Sequence, residues 1–188
     1  RLSLVGSEMC IRDRYVCAPP LRKKEDQDCL WKGLADGTIQ TVSTDHCSFT
    51  TEQKKLGEGD FTKIPGGMPG AETRGTLIYT YGVDKGRITK EDMCRVLSEN
   101  PAKLYGLYPR KGVIAPGSDA DLVIMRTGVE DVITAKDQVQ NVDYAPFEGT
   151  KVTGRVESVF LRGLQAVKDG KVVEEKKGEF LKRGKYAL

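Results

Sequence analysis

The stretch Thr38-Ile39-Gln40-Thr41-Val42-Ser43-Thr44-Asp45-His46 decides how this chain is read. Its first five residues form a short apolar run rich in β-branched side chains, which predicts a strand. Upstream, Cys29, Leu30 and Leu34 recur at helical spacing with Trp31 beside them, predicting a helix from Lys23 to Ala35 that stops at Asp36-Gly37. Before that, Tyr15-Val16-Cys17-Ala18 reads as a strand ending at Pro19-Pro20. Strand, helix, strand in this order is a βαβ crossover of a parallel sheet, so the expected class is α/β. An aspartate at a strand end beside a histidine suits a metal ligand or a catalytic base, and equally a turn cap. His46 is the chain's single histidine. A catalytic zinc site needs several N, S or O ligands, so a site built on Asp45 would have most of its members elsewhere.

Downstream, Ser48 to Gly70 is rich in Gly, Lys and Thr without a strong period, and it contains Ile64-Pro65-Gly66-Gly67-Met68-Pro69-Gly70. A long loop directly after a strand is more often functional than slack. Thr76 to Val83 predicts a helix with Leu77, Ile78 and Tyr81 inward. Thr89 N-caps another that runs to about Glu99, and Asn100-Pro101 restarts a short one that ends at Gly106. After Gly112 the texture turns to β. Asp121–Met125, Val156–Leu161 and Gln165–Lys168 read as strands, the last two joined through Arg162-Gly163, and Asp169-Gly170 turns into Lys171-Val172-Val173. There are no internal repeats.

Composition sets the outer bounds. Of 188 residues, 38% are hydrophobic and 30% charged, a globular balance, with interleaved charges summing to +3. That balance gives no reason to invoke nucleic acid or a membrane, and no stretch approaches the ~18 apolar residues of a membrane span. The five cysteines are scattered without a C-x-x-C pair, which predicts reduced thiols and a cytoplasmic protein. Cys17 and Cys47 lie close to the motifs below and are read as packing residues. The basic stretch Lys176 to Lys185 reads as a solvated tail or a subunit contact.

Residues 1–14 differ from the rest. Glu8-Met9-Cys10-Ile11-Arg12-Asp13 resembles the translation of a sequencing adapter, so this segment is set aside from the fold argument and the natural sequence is expected to begin near Tyr15.

Several motifs together resemble one family. Cys17-Ala18-Pro19-Pro20-Leu21-Arg22 is similar to the S-P-P-L-R loop of dihydropyrimidinases and hydantoinases. Ser43 to Phe49 resembles their strand-8 metal motif, and Phe61 to Gly70 their substrate loop. Asn100-Pro101-Ala102-Lys103 and Gly117-Ser118-Asp119-Ala120-Asp121-Leu122-Val123 resemble the passage by which amidohydrolases leave their barrel, and Phe147-Glu148-Gly149 narrows the likeness to the cyclic-amidase branch. The implied fold is the C-terminal fragment of a (β/α)₈ metal-dependent hydrolase barrel, over 15–110, followed by part of a small β-sandwich, over 111–175, and a basic tail, 176–188.

The resemblance also implies a chemistry. A cyclic amide or imide, a 5,6-dihydropyrimidine or hydantoin ring, is opened to an N-carbamoyl amino acid by a hydroxide shared between two divalent metal ions, usually zinc. Four histidines and a carbamylated lysine from earlier strands complete the family's ligand set, so Asp45 is the only ligand expected in this chain. Asp45 would bind one metal, take the proton of the attacking water and pass it to the departing nitrogen. His46 would support the site without binding metal. Ala18, standing where the family commonly has Ser, and Gly66, near the family's loop Asn, would contact substrate through the backbone. The full-length protein would be a homotetramer, and the fragment alone inactive. The alternatives are a non-catalytic scaffold of the same fold, or an allantoinase or dihydroorotase, against both of which the P-P-L-R loop argues.

Overall fold

A computed structural model of the chain describes residues 14–173 and 178–186. The N-terminal segment set aside above lies, apart from Arg14, outside the described residues, as do four residues before Gly178 and the last two. The chain divides into two compact units. The first comprises Ser43–Arg74 and Val132–Lys151 with the described residues up to Leu30. The second comprises Trp31–Val42, Gly75–Asp131 and the described residues from Val152 onward.

The core of the second unit is helical. Helix α1 (Lys24–Ala35) ends where Gly37 takes a φ of 79°, the left-handed value that glycine adopts without strain. Leu34 is buried with Ile88 and Val96, while Trp31, Ile39, Val42, Ile78, Val83, Met93 and Leu97 pack around them. Leu30 is 54% exposed and Cys29 is exposed, so the apolar face of α1 is narrower than its spacing suggests. Helix α3 (Arg74–Ile78) continues as a π-turn over Tyr79–Val83, where Asp84 N–H reaches the Tyr79 carbonyl five residues back, at 2.9 Å. The wider turn rotates the buried face. Tyr79, Thr80 and Gly82 are inside, and the expected Leu77, Ile78 and Tyr81 are only half-buried.

Helix α4 (Lys90–Cys94) starts at the expected cap. Thr89 accepts from Asp92 N–H and the Asp92 carboxylate accepts from Thr89 N–H, a reciprocal capping box. The helix does not stop and restart at Asn100-Pro101. A second π-turn over Arg95–Glu99 carries it directly into α5 (Asn100–Leu104), with Asn100 N–H bonding to the Arg95 carbonyl. Pro101 has no N–H for a four-residue bond, and the wider turn before it absorbs that loss.

The residues 38–42 form no strand, and neither do residues 15–18. A strand exists only where a neighbour supplies a ladder, and their groups are committed elsewhere. Val42 N–H bonds the Val96 carbonyl at 3.1 Å, and the Asn100 amide holds the Gln40 carbonyl at 2.8 Å. The expected βαβ crossover therefore has no parallel ladder among the described residues.

Among the described residues the regular β-structure is one four-stranded sheet in the order β1 (Leu122–Val132), β2 (Lys151–Leu161), β3 (Leu164–Lys168), β4 (Lys171–Val172). β1 and β2 run well past the spans expected from sequence. β2–β3 and β3–β4 are antiparallel hairpins with two-residue turns. Arg162-Gly163 has φ of 48° and 78° and Asp169-Gly170 has 49° and 72°, the positive pairs that match the right-handed strand twist. At the start of the sheet Lys111 pairs with Asp119 at 2.8 Å and with Asp121, whose other oxygen accepts from Arg162 N–H.

Tyr79 packs on Gly154 of β2, where an added Cβ would fall 2.3 Å from the ring. Gly154→Val is therefore expected to destabilise by about 1–3 kcal/mol through overpacking, read as a lower urea midpoint at unchanged slope. Acid sensitivity follows from two carboxyls. The Thr89 backbone N–H, then Arg95, hold Asp92 below the ordinary value of 3.8, and Lys111, then Arg110, hold Asp119 below it. Such groups contribute stability fully above 3.8 and lose it as pH falls through their lower folded values. The urea midpoint should stay level from pH 7 to about 5 and fall below about pH 4, and Asp119→Asn should flatten that fall.

Candidate functional site

The residues singled out from sequence, Ala18, Asp45 and Gly66, all belong to the first unit. Each lies on irregular backbone, so its position depends on hydrogen bonds made by neighbours. Asp45 has a φ of 45°, a left-handed conformation that Asp tolerates better than most side-chain-bearing residues. The residue is exposed, and among the described residues its carboxylate takes no hydrogen bond and no ion pair. The cap reading of this aspartate therefore fails, and its lone pairs stay open to solvent or a ligand.

His46 behaves oppositely. Its Nδ1 accepts from Gly70 N–H at 3.1 Å and Ala71 N–H at 3.2 Å. A nitrogen that accepts two bonds carries no proton, so the imidazole works here as a support for the turn that leads into α3. The same loop is tied back by its other end. Cys47 N–H donates to the Met68 carbonyl at 3.3 Å, and an added Cβ on Gly67 would fall 2.4 Å from the Cys47 carbonyl. Only glycine fits that approach.

Gly66 is exposed, and an added Cβ there would meet nothing within 4 Å. Ala18 is exposed and precedes a cis bond to Pro19. What links these two loops is Lys54, a residue that sequence reasoning missed. It ends the short helix α2 (Thr51–Lys54), which starts at a Thr50/Gln53 capping box. The pattern Thr50-x-x-Gln53 could have revealed the helix inside a segment that reads as a loop. No sequence signal marks the lysine, since Lys is almost never fully buried. Yet Lys54 is 1% exposed, with Nζ donating to the Val16 carbonyl at 3.0 Å and the Pro65 carbonyl at 2.6 Å, and lying 5.5 Å from the Phe49 ring centroid. Gly67 N–H donates to the same Val16 carbonyl at 2.9 Å.

Two further carboxylates hold the unit together. Glu72 accepts from Val139 N–H at 3.0 Å and Gln140 N–H at 3.1 Å, and Asp143 accepts from Thr51 N–H at 2.8 Å. Burial works to raise the Asp143 carboxyl, but the Thr51 bonds prevail and hold it below its usual range. Burial pushes the Tyr144 phenol up to about 12 while its hydroxyl donates to the Arg14 carbonyl at 3.2 Å.

The donor set bears on a metal centre. An exposed carboxylate that is unengaged among the described residues fits one oxygen ligand. Among the described residues no three His, Cys, Asp or Glu side chains converge as a metal site. Asp45 therefore fits as one member of a ligand set and cannot form a site by itself. No helix among the described residues is long and apolar enough to cross a membrane.

Comparison with known proteins agrees with the sequence motifs. The Amidohydrolase family model matches residues 4–173. The D-hydantoinase of Geobacillus stearothermophilus is 49% identical over 175 residues, covering 92% of this chain and 37% of that protein. Among solved structures, the D-hydantoinase of Bacillus sp. AR9 superposes with a TM-score of 0.90 at 46% identity, covering 94% of this chain and 39% of its own. The dihydropyrimidinase of Brevibacillus agri NCHU1002 gives 0.84 at 46% identity, covering 86% and 35%. The chain thus spans a little over a third of the length of these relatives. Its mixed helices and sheet, with hydantoinases as structural neighbours, are those of a partial (β/α)₈ barrel plus a sheet. The chain belongs to the amidohydrolase family and is similar to hydantoinases and dihydropyrimidinases over part of their length.

Proposed function

We propose that the protein carrying this chain hydrolyses the ring amide bond of a cyclic ureide or imide, a 5,6-dihydropyrimidine or a hydantoin, to give an N-carbamoyl amino acid. The observation that carries this reading is the Asp45 carboxylate, exposed and without a hydrogen bond or ion pair among the described residues, in a motif, Ser43-Thr44-Asp45-His46, that resembles the hydantoinases' own. A carboxylate bonded to nothing among the described residues can take a metal or a proton.

Asp45 would hold one of two divalent metal ions, zinc being one that its oxygen donor suits. When bound, the metals polarise the ring carbonyl and make water acidic enough to act at neutral pH. The chain's own part is proton transfer. Asp45 accepts the proton of the attacking water as the new C–O bond forms, then delivers it to the ring nitrogen as the C–N bond breaks, so the carboxylate is regenerated each cycle. Ala18 and Gly66 would contact the ring's imide edge through backbone groups. At Gly66 this needs no side chain, and its N–H makes no hydrogen bond among the described residues. Ala18 offers no hydroxyl, so any contact there runs through its peptide groups. The proposed organisation is a barrel part over 15–110, a sandwich part over 111–175 and a basic tail over 176–188, within a homotetramer of the full-length protein.

Two measurements test this. In the full-length protein, Asp45→Asn should lower kcat on dihydrouracil or hydantoin by about 10²–10⁴-fold, the usual worth of a positioned acid–base group, and reduce bound metal per subunit. A full-length protein that folds, binds no metal and opens neither ring would be a non-catalytic scaffold, and this reading would fall. The 188-residue chain alone, assayed with added zinc, should show no ring opening.

A further inference from the structure

Lys54 is the largest fully buried side chain in the described chain, and the chemistry proposed above does not use it. A buried ammonium is expensive unless its charge is hydrogen-bonded. Its recorded acceptors are the Val16 and Pro65 carbonyls, each within two residues of a proposed substrate contact, Ala18 and Gly66. The Pro65 carbonyl and the Gly66 N–H belong to one planar peptide unit. In a trans peptide the two groups point in opposite directions. A cation that grips the carbonyl at 2.6 Å therefore also sets where the N–H points. That N–H makes no hydrogen bond among the described residues, and Gly66 is exposed. Glycine, without a Cβ, would otherwise let this peptide rotate freely.

We infer that Lys54 is a positioning residue: by holding the Val16 and Pro65 carbonyls it joins the two loops and aims the Gly66 N–H as a fixed donor for a carbonyl oxygen of the substrate ring. The inference rests on the cyclic-amide reading for its substrate and on the geometry alone for the anchoring. Gly67 N–H strengthens the joint, because it uses the second lone pair of the same Val16 carbonyl. The buried approach of Gly67 to Cys47 then ties the pair of loops to the segment that carries Asp45. A charge-assisted bond is roughly twice as strong as a neutral one, so one lysine can hold two loops that have no regular secondary structure of their own.

The test uses the full-length protein with Lys54→Met, which keeps length and removes the charge, and Lys54→Arg, which keeps the charge. Lys54→Met should raise KM for dihydrouracil or hydantoin at least tenfold while kcat changes less than threefold and metal content stays at the wild-type level. Lys54→Arg should recover most of that KM, since a guanidinium can still reach carbonyl oxygens. Hydrogen exchange over residues 64–68 should quicken at least tenfold in Lys54→Met, through loss of the Gly67 bond, and much less in Lys54→Arg. Wild-type KM in Lys54→Met, or unchanged exchange over 64–68, overturns the inference. So does a parallel loss of kcat and metal, which would mark a general structural role. If Lys54→Met does not fold, Lys54→Gln, which removes the charge but keeps a shorter donor, decides: KM raised at least threefold at unchanged kcat and metal content supports positioning, and an unchanged KM refutes it. If the wild type opens neither ring, the cyclic-amide reading falls by itself, and the exchange result alone decides whether Lys54 anchors the loop.

Discussion

The first unit depends on one buried cation. Residues 14–20 and 64–70 are irregular backbone, and irregular backbone buries carbonyls that no ladder satisfies. Lys54 meets that need at Val16 and Pro65 with a donor strong enough to repay its own desolvation. Everything nearby follows from the close approach this allows. Gly67 comes close enough to donate to Val16, and then lies against the Cys47 carbonyl, where any side chain would collide. The capping box at Thr50 and Gln53 matters for the same reason, because it fixes the single turn of helix from which Lys54 projects. The Phe49 ring beside the ammonium adds a π face to its surroundings.

The second unit solves a different problem by ordinary means. Its helices bury Leu34, Ile88 and Val96, and polar side chains close the remaining backbone groups. Asn100 bonds the Gln40 carbonyl and side chain, and Arg95 reaches the Leu34 carbonyl at the end of α1 while pairing with Asp92. The N-P-A-K motif thus has a mechanical content. Its asparagine holds the 38–42 segment, and its proline sits where a π-turn has already given up the four-residue bond.

Local chemistry was legible in the sequence wherever one residue type answers one geometric need. The Thr89 cap and the Asp169-Gly170 and Arg162-Gly163 turns stand where their residues place them, because few other residues serve those conformations. The α1 boundaries were legible for the same reason. What pairing or tertiary contact decides was not. Thr38–Val42 has strand-forming residues, but a strand is a property of two segments, and its N–H groups went elsewhere: Thr38 to the Asp36 carboxylate, Ile39 to the Gly33 carbonyl and Val42 to the Val96 carbonyl. The π-turns shift the buried face from Leu77 and Tyr81 to Tyr79 and Thr80, a change that 3.6-residue periodicity cannot express. Lys54 was illegible because its role is set by carbonyls that lie 38 and 11 residues away.

The Asp-His pair at 45 and 46 shows how neighbours in one motif come to serve opposite ends. Both side chains stand at a bend whose left-handed turn is made by the aspartate itself. That conformation costs about 1–2 kcal/mol for a residue with a Cβ, and Asp is among the side chains that bear it best. A cost of this size persists only where surrounding contacts hold the backbone in place. Here the holding is done on the C-terminal side, by His46 accepting from Gly70 and Ala71 and by Cys47 donating to Met68. Three donor–acceptor bonds thus fix the backbone just after Asp45, and none of them touches its carboxylate. Had the carboxylate capped the turn, as its position invited, its lone pairs would have been spent within the fold. Because the histidine carries the structural load, the aspartate's two oxygens make no hydrogen bond or ion pair among the described residues, which is the condition a metal ligand or proton carrier must meet.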